Sequence, residues 1–175
     1  MRSDDELLEL AKKGDVEAFE SLYRRHRDWV YRLAWRFTGN EADALDVLQE
    51  TFAYVLRKLP GLRLTAAMTT FLYPVVKHLS LNVRRRRTYS TADDDFLAAI
   101  PAPATDEPSR TDLASALTTL APDQREVVLM RFVDDMSLEE IAQALKTPLN
   151  TIKSRLYRAL DTLRQDPRTR EYFLE

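Results

Sequence analysis

The 175-residue chain has no cysteine, which excludes disulfides and thiolate metal sites and fits a reducing, cytoplasmic setting. Glycine is scarce, with three residues in all. Period-two alternation is almost missing too, and together these favour an all-α fold. The two histidines, His26 and His78, stand far apart without H-E-x-x-H spacing, and no Gly-rich phosphate loop occurs. No catalytic residue, metal ligand or cofactor is therefore expected. Long apolar runs are lacking, and the acidic start MRSDDELLEL has no signal-peptide core, so membrane insertion is not expected. Nor is there an excess of positive charge: the net charge is −2, and any contact with nucleic acid has to come from local patches.

The most informative stretch is Ser137 to Leu163. Ser137 and Glu140 form an S-x-x-E capping box, so a helix is expected from Leu138, with Ile141, Ala142 and Leu145 continuing its buried face. Thr147 is the expected cap of a second helix, with Pro148 in its first position. Leu149, Ile152, Leu156, Leu160 and Leu163 then make one apolar stripe. The opposite face carries Asn150, Thr151, Ser154 and Arg158, flanked by Arg155 and Tyr157. A short helix, a turn and a longer helix with a basic outer face match the helix-turn-helix that sets its second helix into a major groove. Charge agrees: residues 146–170 hold seven Lys/Arg against two Asp, whereas residues 122–145 hold two Arg against six acids. An ordinary solvated pair of amphipathic helices has the same pattern, so these residues point to DNA without deciding it.

Taken in order, the chain opens with a short helix carrying Leu7, Leu8, Leu10 and Ala11 and ending near Gly14. Asp15 caps a second, with Ala18, Phe19, Leu22, Val30, Leu33, Ala34 and Phe37 inward, closed by Gly39. Asn40 caps a third, Glu41 to Leu59, with an apolar stripe at Leu45, Leu48, Phe52, Leu56 and Leu59. The face opposite presents Asp43, Asp46, Glu50, Tyr54 and Arg57, either a solvated surface or a dock for a basic helix. Residues 62–70 read as a loop or poor helix start. The next helix begins near Tyr73 or kinks at Pro74. Its core candidates are Val75, Val76, Leu79 and Val83. Lys77 and Arg84, Arg85, Arg86 and Arg87 make a cationic end suited to phosphate, and Phe71 and Tyr73 are candidates for stacking on an unpaired base, or for the core. Residues 88–110, with three Pro and five acids, read as a flexible linker. It divides domains of residues 1–87 and 111–175. The second domain is expected to hold helices at Asp112–Leu120 and from Pro122 to about Val133 (with Val127, Val128, Met130 and Phe132 apolar), then the helix-turn-helix. The fold class is thus all-α, two small helical domains on an acidic Pro-rich linker.

Over nearly its whole length the chain resembles a bacterial sigma factor of the extracytoplasmic-function type. The D-x-x-Q-E-x-F signature of that family's polymerase-binding segment stands at Asp46, Gln49, Glu50 and Phe52. The segment Phe71 to Arg87 resembles the helix that melts and reads the −10 element, and Thr151 to Ala159 matches the T-[VI]-K-S-R-x-x-R-A run of the −35-reading domain. The resemblance implies a promoter-specificity subunit with core RNA polymerase and promoter DNA as partners and, in many members, an anti-sigma factor. It implies that Asp43, Asp46, Gln49, Glu50 and Phe52 serve core polymerase, and that Phe71, Lys77, His78, Asn82 and Arg84 to Arg87 serve the −10 strand. A base would flip toward the loop after Pro60-Gly61. Arg131, Asn150, Thr151, Lys153, Ser154, Arg155, Tyr157 and Arg158 would serve the −35 element. Departures fall at Phe71 (usually Trp), Pro74 (Arg), His78 (Asn), Asn82 (Asp) and Leu45 (commonly acidic), which puts the −10 contacts in question. A stand-alone helix-turn-helix regulator accounts for residues 111–165 but leaves the Q-E-T-F helix, the arginine run and the linker without purpose. A helical adaptor that binds partners without starting transcription is the other alternative.

Overall fold

The computed structural model describes residues 2–88 and 108–169, and among these it contains eight α-helices and no strand. The chain divides into two compact units, Met1–Asp94 and Asp95–Glu175.

In the first unit, α1 (Asp4–Lys12), α3 (Glu41–Lys58) and α4 (Met68–Thr88) all pack on α2 (Val16–Thr38). Local chemistry sets each boundary. Ser3 and Glu6 form a reciprocal capping box on α1, Asp15 accepts from the Ala18 N–H at the start of α2, and Asn40 accepts from the Asp43 N–H at the start of α3. Such caps stabilise a helix by about 1 kcal/mol each. Gly39, at φ 64°, ends α2 in the left-handed conformation that costs glycine nothing. Leu22, Val30, Leu33, Phe37, Val55, Leu72 and Val76 form the core. His26, buried at 7% exposure, stands 2.8 Å from Asp4, and Arg25 bonds the same carboxylate, so α1 is latched to α2 by charge as well as by Leu7 and Leu8.

Two expectations change here. The buried face of α3 is Ala44, Val47, Leu48, Thr51, Phe52 and Val55, not the stripe of its largest side chains, and Leu45 and Leu56 remain 42% and 49% exposed. The buried side of α3 is the one that packs on α2 and α4, and small and β-branched residues fit there beside Leu48 and Phe52. The fourth helix begins at Met68, near the end of the segment expected as a loop or poor helix start, and it runs through Pro74, so of the two expectations for that proline a start near Tyr73 is the one that fails. Pro74 removes the bond that would reach the Thr70 carbonyl, a loss of roughly 3 kcal/mol in a helix interior. Burial of Met68, Leu72, Tyr73 and Val76 offsets it. Val75, Leu79 and Val83 are half-buried.

In the second unit α6 (Pro122–Phe132) and α7 (Leu138–Ala144) pack against α8 (Leu149–Gln165), after α5 (Pro108–Thr118). Val127, Met130, Met136, Ile141, Ile152 and Ala159 form its core. Arg125 ties α6 to the end of α5 by donating to the Thr118 and Leu120 carbonyls. The Ser137–Glu140 capping box is present in both directions. Thr147 is not a cap: its hydroxyl donates to the Leu145 carbonyl, and Pro148 takes the N-cap position with no side-chain bond to α8. Phe132 is not core, being 61% exposed at the end of α6. Most of the expected linker, residues 89–107, lies outside the described residues. Its two ends are helical, since Thr88 closes α4 and Pro108 opens α5 as a first-position proline.

Candidate nucleic-acid interface

Of the five residues expected to serve polymerase, three share the outer face of α3. Asp46, Gln49 and Glu50 are exposed, and Glu50 pairs with Arg57 at 2.6 Å. Asp43 turns inward at 6% exposure, in the first turn of α3, where the helix dipole favours an acid. Phe52 is also buried, edge-on to Phe19 and to Tyr23 with ring centroids 6.4 and 4.8 Å away. Phe52 therefore acts from beneath, holding α3 on α2. Sequence reasoning missed Leu45 and Leu56 as surface residues. Eleven positions apart, they fall within roughly 20° of each other on the helix and flank Gln49. The signal lay in Ala44, Val47 and Thr51, which mark the close-packed side.

A groove of about 690 Å³ runs between α3 and α4. It joins Asp46, Gln49, Glu50 and Ala53 to Leu79, Asn82, Val83 and Arg86. Along α4, Phe71, His78 and Arg85 recur at seven-residue spacing on the outer side, with Asn82 beside them. The Asn82 amide nitrogen lies 2.9 Å from His78 Nε2, so neighbouring turns are already linked. Phe71 stacks on Tyr54 with centroids 6.3 Å apart and planes 23° from parallel, and Lys58 sits over the same Tyr54 ring. Tyr73 belongs to the core instead, 1% exposed and edge-on to Phe37. The arginines are not equivalent. Arg84 donates to the Phe37 carbonyl near the end of α2, while Arg85 and Arg86 are exposed. Arg87 lies in α4, with its side chain outside the described residues, and Lys77 is half-buried.

On α8, Asn150, Thr151, Ser154 and Arg158 are exposed, and Tyr157 is 67% exposed. The first four line a concavity of about 430 Å³ with Asp123, Gln124 and Arg155. Lys153 and Arg155 are half-buried. Arg131 donates to the Met136 carbonyl at 3.0 Å, which braces the α6–α7 connection. At the far end of α8, Arg168 hydrogen-bonds the Asp166 carboxylate and holds its pKa down, to about 2. Among the described residues no group of His, Cys, Asp or Glu is arranged to hold a metal, and no helix is long and apolar enough to cross a membrane.

Two family models match the chain in this order. Sigma-70 region 2 matches residues 22–89, which include α3 and α4, and Sigma-70 region 4 matches residues 110–163, which include the helix-turn-helix. The chain belongs to the extracytoplasmic-function sigma factors. The sigma factor is 31% identical over 140 residues to RNA polymerase sigma factor SigV of Bacillus subtilis, covering 79% of this chain and 84% of that one. It is also 31% identical to RNA polymerase sigma factor CarQ of Myxococcus xanthus, covering 90% and 94% of the two chains. Its fold matches CnrH, solved in complex with the cytosolic domain of CnrY, with a TM-score of 0.68 at 23% identity over 92% of this chain and 94% of that one. It also matches the sigma factor RpoE of Bartonella quintana, solved with the anti-sigma factor NepR, with a TM-score of 0.65 at 21% identity over 86% and 96% of the two chains. A sigma factor with regions 2 and 4 binds core RNA polymerase and directs it to promoters to start transcription, and that is the function of this protein.

Proposed function

We propose that the work is divided among three surfaces. Asp46, Gln49 and Glu50, with Leu45 and Leu56 beside them, dock core polymerase. An acidic edge flanked by exposed leucines suits a basic, amphipathic helical partner, because charge steers the approach and the leucines are removed from water on contact. Asp43 and Phe52 set the pose of that helix from inside. Residues 1–87 would thus form the polymerase and −10 domain, and residues 111–175 the −35 domain.

The outer stripe of α4 supports a single-strand role. Phe71 offers a ring already stacked on Tyr54, and Arg85 and Arg86 offer charge one to two turns beyond the linked His78–Asn82 pair. In this reading the non-template strand follows the stripe and a −10 base leaves the stack toward the 62–67 loop. Unstacking costs a few kcal/mol, which phosphate contacts from the arginines offset. Arg84 and Tyr73 hold α4 in place rather than touch DNA. The α8 concavity takes the −35 element, with Asn150, Thr151, Ser154 and Arg158 toward the groove, Tyr157 and Lys153 beside it, and Arg131 as a brace. The chain performs no covalent step, and it acts in the cytoplasm where polymerase is. The exposed α3 face is also where a sequestering anti-sigma protein would compete with polymerase.

The observation that carries this reading is the sharing of one groove by the acidic edge of α3 and the Asn82–Arg86 stripe of α4. Polymerase docking and strand capture are thereby mechanically joined. Run-off transcription with purified core polymerase on a library of −35/−10 promoter pairs tests it. Initiation from a subset of promoters is expected. Duplex binding that never requires core polymerase would instead make the chain a stand-alone regulator, and core binding without initiation would make it an adaptor.

A further inference from the structure

The α8 concavity contains an acid where phosphates would approach. Asp123, the second residue of α6, lines it together with Asn150, Thr151, Ser154 and Arg158. A bare carboxylate at that place repels a DNA backbone. Both of its oxygens are engaged, however. Oδ1 accepts from the Gln124 N–H at 2.9 Å, and Oδ2 stands 2.9 Å from Arg155 Nε. The Arg155 side chain is 30% exposed, whereas Ser154 and Arg158 on either side of it are open to solvent. Arg155 is therefore drawn to the α6 side of the concavity, away from where a free surface arginine would extend.

We propose that Asp123 is a specificity-determining residue for −35 reading, and that it acts by holding Arg155 off the phosphate backbone. This rests on the reading of the α8 concavity as the −35 interface. An arginine free to extend from a recognition helix meets phosphate on any duplex, which adds affinity without sequence information. Held by Asp123, the guanidinium contributes only where a duplex seats fully and brings hydrogen-bond acceptors into the concavity. Asp123 is a positioning residue here; it need not touch DNA.

The test uses holoenzyme reconstituted from the full chain and core polymerase, with a DNA library randomised across the −35 and −10 regions as probe. The sequences retained by wild type give a selected duplex, and shuffling its −35 positions gives a control. Asp123→Asn keeps the side-chain shape and the acceptor for Gln124. It is expected to bind the shuffled control about tenfold more tightly, to leave the selected duplex little changed, and to steepen the log K against log salt slope by about one phosphate contact. The double variant Asp123→Asn with Arg155→Gln is expected to return to the wild-type slope. Core binding, measured in the same reactions, reports that each variant is folded. Unchanged discrimination and slope in Asp123→Asn would overturn the proposal. A gain that persists in the double variant would also overturn it, because loss of repulsion alone would then account for the effect. Failure of the wild-type holoenzyme to enrich any −35 sequence is a distinct result, and it would overturn the −35 reading itself.

Discussion

Lys146 occupies the turn of the helix-turn-helix with φ at 50°, a left-handed conformation that glycine adopts freely and β-branched residues resist. It follows the C-cap Leu145, where the chain has to reverse before Thr147 and Pro148 start α8. Lys146→Val is expected to destabilise the second unit by about 1–2 kcal/mol, whereas Lys146→Gly should match or exceed wild type. Urea midpoints of the full chain by circular dichroism check this; equal midpoints for Val and Gly would show that the turn is not under strain. Asp43 teaches a related lesson at the same scale. Its spacing from Asp46 and Glu50 is compatible with one acidic face, yet position 43 is in the first turn of α3 and packs inward. A motif assigns residues to a function, but burial separates those that touch a partner from those that hold the helix.

At the scale of elements, α3 and α4 define the first unit's surface. Helical periodicity locates α3 correctly from Glu41, with Asn40 as its cap, but the choice of buried face follows from the neighbour it packs on. Alternation of large side chains cannot reveal that Ala44 and Thr51, at 0% exposure, are buried while Leu45 and Leu56 are not. In α4 the proline rule gives a start near residue 73 or a kink at Pro74, and the structure starts the helix about one and a half turns before residue 73, at Met68. Intrinsic propensity yields there to burial of Met68 and Leu72. Because Pro74 is exposed and leaves the Thr70 carbonyl without its helical donor, Pro74→Ala is expected to stabilise the first unit by about 1–3 kcal/mol. A thermal or urea unfolding comparison measures this. A destabilised variant would mean that the proline shapes α4 for its neighbours rather than merely being tolerated.

For the whole molecule, the proposed polymerase surface lies on the first unit and the proposed −35 surface on the second, so their losses separate. Asp46→Ala with Glu50→Ala is expected to weaken binding to core polymerase by tenfold or more while leaving the second unit folded. Arg158→Ala is expected to leave core binding intact and to lower initiation from −35-dependent promoters by about tenfold, in line with loss of one DNA contact of 1–3 kcal/mol. Equilibrium binding to core, followed by run-off transcription, reads the two effects independently; if both variants lost core binding equally, the division of labour would be wrong. The amino-acid sequence alone determined the helical class, most helix caps, the helix-turn-helix and the order of its family motifs. Those depend on side-chain chemistry acting over three or four residues, or on short patterns carried along the chain. Only the tertiary structure decided that Asp43, Phe52, Tyr73 and Arg84 support their surfaces from within, and that Leu45, Leu56 and Phe132 lie open. It alone also brought Asp123 to Arg155 across 32 positions of sequence. Exposure and ion pairing depend on which helices meet and how closely, and the pattern of large apolar side chains along one helix does not carry that information.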